Sequence, residues 1–189
     1  FLEDLETDST ASTKMKAQNG SYFDTFFDYS LDYDKRNQRF QTTDGFRSTF
    51  SQNIPLISES YSLTNRYDYK YYSTWLKENV ATIGFYGSTI TSLTGGDVKL
   101  SERIHLPTRK LRGFEAGKLG PKDGFDYVGG NYALSFNLAT TLPQILPSLQ
   151  DVDFSLFYDA ANVWGLDYSK TKSEGSKIRS SVGLAVDFY

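Results

Sequence analysis

The chain has 189 residues, enough for one domain, and its 20 basic and 23 acidic side chains leave a formal charge of −3 that gives no basis for nucleic-acid binding. With no cysteine, a disulfide framework and a thiolate metal site are excluded, and the single His105 has no partner histidine for zinc and stands in no motif that gathers Ser and Asp around it, so it reads as an ordinary polar loop residue. The 39% hydrophobic content is never gathered into a run long enough for a membrane helix.

Residues 1–20 are small and polar, rich in Ser, Thr, Asp and Lys, and read as an external loop or lead-in with one helical turn near Ser12–Ala17. Residues 21–189 then alternate in long runs. Phe23–Asp34 puts Phe23, Phe27, Tyr29, Leu31 and Tyr33 on one face and Asp24, Asp28, Ser30, Asp32 and Asp34 on the other, the period of two that marks a strand. Thr43-Asp44-Gly45 signals a turn before a weaker run, Phe46–Ile54. Tyr61–Tyr71 sets Tyr61, Leu63, Tyr67, Tyr69 and Tyr71 against Ser62, Thr64, Arg66, Asp68 and Lys70. Glu78-Asn79 marks a turn before Val80–Thr89.

Residues 95–126 form a long loop with a basic, glycine-punctuated stretch at Arg109–Gly117. A loop of that length inside a sheet protein is often functional. Tyr132–Leu142 sets Leu134, Phe136 and Leu138 against Ser135 and Asn137. Pro143–Gln150 connects it to Val152–Trp164, where Asp153, Ser155 and Asp159 oppose Val152, Phe154, Leu156 and Tyr158. Gly165–Ser176 is a longer polar loop, and Ile178–Phe188 sets Val182, Leu184 and Val186 against Arg179, Ser181 and Asp187. All the prolines fall outside these strand interiors, as a missing backbone donor requires.

Each run has about the nine to eleven residues a tilted strand needs to cross a bilayer, beyond the usual five or six of soluble domains. One face is rich in Tyr and Phe and the other carries both signs of charge. A soluble β-sandwich explains the alternation but not the strand length, the aromatic content or the clustered charges. The predicted fold is all-β: an antiparallel transmembrane β-barrel fragment of about seven long meander strands, an open curved sheet with the long loop folded onto its lumen face. Short and long connections alternate, as in bacterial outer-membrane barrels. Such proteins need a secretory signal, and the acidic Phe1–Asp8 lacks its basic start and apolar core, so an internal piece of a longer chain is expected.

Six landmarks in order carry a resemblance. Leu111-Arg112-Gly113-Phe114 resembles the (V/L)RGF motif of the sixth external loop in the BamA family of outer-membrane barrel-assembly factors. Tyr33-Asp34-Lys35-Arg36 with Thr42–Gly45, Leu119-Gly120-Pro121, Val128–Asn131, Phe157-Tyr158-Asp159 with Asn162-Val163-Trp164, and Ile178–Gly183 resemble that family's landmarks along the rest of the barrel. The chain departs from the pattern at Ala139, where a glutamate is common, and at Ala161, where a glycine is usual.

The resemblance implies strands eight to fourteen of a sixteen-stranded barrel, with the other strands and the periplasmic POTRA domains outside the chain. It implies no enzyme and no cofactor, but insertion of unfolded outer-membrane protein clients, in contact with outer-membrane lipid and accessory lipoproteins. A TamA-like or two-partner-secretion transporter shares the loop type, and the number of POTRA domains separates it. From another class, an outer-membrane enzyme lacks convergent catalytic groups here, and a porin would keep its lumen open. The resemblance also implies that the loop enters the lumen and that Arg112 meets Asp159 on the wall, Gly113 allowing a sharp turn where a side chain would clash and Phe114 packing on the wall. Arg112→Ala is therefore expected to do more harm than Arg109→Ala or Lys110→Ala.

Overall fold

The computed structural model describes residues 2–76, 79–142, 152–167 and 177–188. In chain order these form β1 (Leu2–Leu5), α1 (Thr13–Lys16), β2 (Gly20–Phe23), β3 (Thr25–Asp34), β4 (Gly45–Ile57), β5 (Ser62–Leu76) and β6 (Asn79–Ser92). Single 3-10 turns follow at Leu100–Glu102 and Thr108–Lys110, then β7 (Lys122–Asp123), β8 (Asp126–Tyr127), β9 (Tyr132–Thr141), β10 (Val152–Trp164) and β11 (Arg179–Phe188). The expected connection at Pro143–Gln150, most of the loop at Gly165–Ser176 and part of the Glu78-Asn79 turn lie outside the described residues.

Seven strands form one antiparallel sheet in the order β11-β10-β9-β6-β5-β4-β3. It is a meander: every neighbour in the sheet is the next long strand in the chain, and the longest excursion runs from β6 to β9. Register keeps one face continuous across the sheet. Asp32 pairs with Thr49, Thr49 with Asp68, Asp68 with Tyr86, Tyr86 with Ser135, and Ser135 with Ala161. The opposite face carries Tyr67, Leu134, Phe136, Val182 and Leu184, all exposed rather than packed against a second layer. That arrangement excludes a two-layer sandwich and suits an outer face that hydrocarbon covers. A cavity of about 1050 Å³ is lined by residues from Thr49 on β4 across to Asp187 on β11, so the polar face is concave.

Two elements depart from the sequence reading. The alternation predicts that the second long strand stops before Pro55, yet β4 runs through it to Ile57. The ladder to β5 has already ended at Asn53↔Thr64, and on the β3 side the register shifts at Thr25/Phe26, opposite Pro55. The missing donor therefore falls beyond one ladder and beside a bulge on the other. The lead-in is also more ordered than its composition suggests. Ser12 caps the expected helical turn by accepting from the Met15 amide, and β1 and β2 pair around that turn as a hairpin.

The hydrophobic core is not between sheets. Tyr86, Ile90, Ala133, Ala161 and Val163 on the inner wall pack against Val98, Ile104, Leu106, Leu111 and Leu119 of the long loop. Each fully buried aliphatic side chain contributes about 1.5–3 kcal/mol, so the loop is held to the wall by burial as well as by charge. Along the inner face of β10 run Asp153, Ser155, Phe157, Asp159, Ala161 and Val163, so its last two inward residues are apolar. Gly120 lets the loop backbone approach that wall, because a Cβ there would lie 2.9 Å from Val163.

Candidate functional site

The 3-10 turn at Thr108–Lys110 presents the loop tip to β9, and three consecutive residues, Lys110, Leu111 and Arg112, anchor it. Leu111 enters the apolar cluster with 2% exposure. Lys110 and Arg112 reach different strands on either side. Asp159 of β10 is fully buried and receives three bonds from Arg112: Nε at 2.7 Å, one terminal guanidinium nitrogen at 2.7 Å, and the backbone N–H at 3.0 Å. This is a planar fork on a carboxylate, the geometry that fixes orientation as well as distance. Asn137 donates to the same carboxylate at 2.8 Å and to the Lys110 carbonyl at 3.0 Å, while Ser135 donates to that carbonyl at 2.8 Å. The guanidinium carbon lies 3.7 Å from the centre of the Phe157 ring, a cation–π contact.

Sequence reasoning ranks Lys110 with Arg109 as a loop companion. The structure separates them. Arg109 is exposed, whereas Lys110 is buried, pairs with Asp68 of β5 and lies 5.0 Å from the Tyr86 ring centre. The signal for this second pair was Asp68 on the polar face of its strand, but alternation alone names no partner for it. Gly113 also needs correcting. A Cβ there meets only Ser181 at 3.8 Å, an ordinary contact, so sterics do not demand glycine. Its φ of +82° does, because that left-handed backbone disfavours any L side chain. Phe114 packs, partly buried, against the apolar cluster. Ala139 faces the cavity and puts no carboxylate there, and Ala161 supplies a methyl to the core where glycine would leave a gap.

A second buried cluster, which nothing in the alternation signals, lies at the root of the loop. Lys99 meets Glu3 of the hairpin at 2.9 Å, Asp24 between β2 and β3 at 2.7 Å, and Glu102 at 3.4 Å. Its Nζ lies 4.6 Å from the Tyr22 ring centre. Ser58 donates to Asp24 at 2.6 Å and Ser60 to Glu102 at 3.1 Å. Burial works to raise the Asp24 carboxyl, but hydrogen bonds from Lys99 and Ser58 outweigh it and hold it below the usual range. Burial likewise opposes the Lys99 charge, and hydrogen bonds to Asp24 and Glu3 reverse that, raising its proton affinity. Glu102 moves up, because desolvation exceeds the pull of Lys99. This cluster ties the amino-terminal hairpin to the loop. His105 stands exposed nearby with its pKa lowered by desolvation alone, and among the described residues no group of His, Cys, Asp and Glu side chains is arranged to hold a metal.

Comparison with known proteins agrees with this architecture. The chain is 27% identical over 189 residues to the outer membrane protein assembly factor BamA of Neorickettsia risticii (strain Illinois), covering 97% of this chain and 25% of that protein. It spans about a quarter of that relative's length. The crystal structure of BamA from Haemophilus ducreyi lacking POTRA domains 1-3 superposes with a TM-score of 0.75 over 89% of this chain and 37% of the other, at 22% identity, a likeness of fold. Residues 3–189, nearly the whole chain, match the Omp85 superfamily domain, and the chain belongs to that superfamily.

Proposed function

We propose that this chain is part of an outer-membrane machine that inserts other barrel proteins, in which it supplies wall strands and the loop that braces them from inside. The observation that carries the reading is the three-bond contact of Arg112 with fully buried Asp159. An isolated buried carboxylate is costly, so the pair holds the loop tip at one place on the wall. The apolar cluster behind it makes the loop a structural brace rather than a mobile lid. A brace of this kind suits a barrel whose wall must keep its shape while another part of the barrel opens, and it does not suit a porin, which needs its lumen clear. No covalent chemistry is required, so no catalytic residue is assigned. Unfolded barrel clients, accessory lipoproteins, POTRA domains and the remaining strands are the partners that this reading implies.

The test is replacement of the chromosomal gene by Arg112→Ala in the organism that carries it. The expected result is lower levels of many folded outer-membrane proteins, with the variant itself still present in the membrane. Normal levels of all of them would overturn the reading. Loss of one secreted partner with general assembly intact would move it to a TamA-like or two-partner-secretion transporter.

A further inference from the structure

Arg66, Lys70 and Arg109 line the same inner cavity of about 1050 Å³ and, among the described residues, make no hydrogen bond or ion pair. Their neighbours explain why. Arg66 and Lys70 flank Asp68 on the inward side of β5, and Lys110 takes the Asp68 carboxylate. Across the ladders Lys70 meets Arg47 and Gly84, and Arg66 meets Ser51 and Ser88. Arg47 is itself committed to Asp32 at 2.8 Å. No register position beside either cation offers a carboxylate. Arg109 stands above them at the loop tip, exposed. The acidic side chains Asp153 and Asp187 lie on the far side of the cavity, opposite each other on β10 and β11.

Arg66 and Lys70 are four residues apart on one strand, about 13 Å at the usual strand rise. A compact anion cannot bridge them. A lipid headgroup is also poorly placed, since the cavity opens on the inner face and acyl chains belong on the outer one. An extended chain with acidic side chains at the same spacing matches both cations at once. We propose that Arg66, Lys70 and Arg109 form a binding site for an extended polypeptide segment bearing acidic side chains four residues apart on one face. The site goes beyond the assembly role and does not rest on it, because binding is read directly.

The experiment uses the full-length protein carrying this chain in lipid nanodiscs. The probe is a fluorescent peptide with Asp at every fourth position separated by Ser and Thr, alongside its Asn counterpart. The Asp peptide is expected to bind, the Asn peptide not, and binding to fall as salt rises. Arg66→Gln with Lys70→Gln is expected to weaken binding about tenfold, Arg109→Gln about threefold, and Lys118→Gln, which faces Glu115 on the exposed part of the loop, not at all. Among the described residues the three cations make no hydrogen bond or ion pair, and Asp68, whose charge Lys70 feels, keeps its bond from Lys110 when they are removed. The Asp-to-Asn comparison needs only the unaltered protein and stands even if a variant fails to fold. Equal affinity for both peptides, or undiminished binding when Arg66, Lys70 and Arg109 are all replaced by Gln, overturns the proposal. So does binding of inorganic pyrophosphate without peptide binding, which would give the cavity to compact anions.

Discussion

Arg112 and Lys99 belong to the same long loop, and each joins it to another part of the sequence through buried charge, yet the two contacts are built in opposite ways. At the loop tip the carboxylate is fully buried and the cation keeps 30% of its surface. At the loop root the cation is buried at 3% and two of its three carboxylates, Glu3 and Glu102, keep 21% and 15%. A planar guanidinium on one carboxylate specifies an angle. An ammonium among three carboxylates specifies only a position, because its donors rotate to suit. The tip is therefore a fixed pin and the root a gathering point, and the two should fail differently.

The largest effect is expected at the pin. Arg112→Ala removes both guanidinium bonds, leaves Asp159 buried with only the Asn137 amide and the backbone N–H of residue 112, and should cost about 3–5 kcal/mol. Arg112→Lys should recover less than half of that, because a point charge cannot make the fork. The temperature at which the folded band disappears on a gel of the full-length protein measures both, and full rescue by lysine would erase the distinction between pin and gathering point. Lys99→Met should cost less, about 1.5–3 kcal/mol, as Glu3 and Glu102 can turn toward water and buried Asp24 keeps the bond from Ser58. Its effect should be local. Hydrogen exchange should speed up in residues 1–24 and 93–106 while the tip at 109–114 keeps its protection, and exchange at the tip as well would show the two regions to be one unit.

The root should also respond to pH. Asp24 is depressed in the folded protein, so its contribution is present above the ordinary Asp value of about 3.9 and is lost as pH falls through its lower, folded value. Lys99 is raised, so its contribution is present below the ordinary Lys value of about 10.4 and is lost as pH rises through its higher, folded value. Protease cleavage within residues 1–24 should be slowest between those limits and rise on both sides, and a flat profile would remove Asp24 and Lys99 as the ties. The smallest effect is expected at Gly113→Ala, about 1 kcal/mol from the left-handed backbone alone. A much larger loss would mean a clash that the open surroundings of Gly113 do not contain.

Much of the sheet was legible because alternation is a local signal. Tyr67, Leu134 and Phe136 face outward, and Asp68, Asn137 and Asp159 inward, as the period of two requires. Arg112 and Asp159 could be matched because the family resemblance implies the pair and the alternation places Asp159 on the inward face. Lys110 and Asp68 were equally visible as residues, but nothing in one sequence pairs a loop lysine with one aspartate among several. The cluster around Lys99 was harder still. Glu3, Asp24, Lys99 and Glu102 meet only because the hairpin folds over the root of the loop, and β1 and β2 have four residues each, too few to show a period. The apolar half of the inner wall was missed for a related reason. Ala161 and Val163 continue the alternation of β10, but only the docked loop explains why that end of the inner face is greasy.

The most direct test of the central claim is a double-mutant cycle on the full-length protein, with Arg112→Ala, Asp159→Ala and both together, each scored by thermal unfolding of the folded band. If the loop tip is pinned through this pair, the double variant should be scarcely less stable than either single one, with a coupling nearly as large as the loss of about 3–5 kcal/mol from one substitution alone. Two losses that simply add would show that Arg112 and Asp159 act apart, and the pinned loop would be wrong.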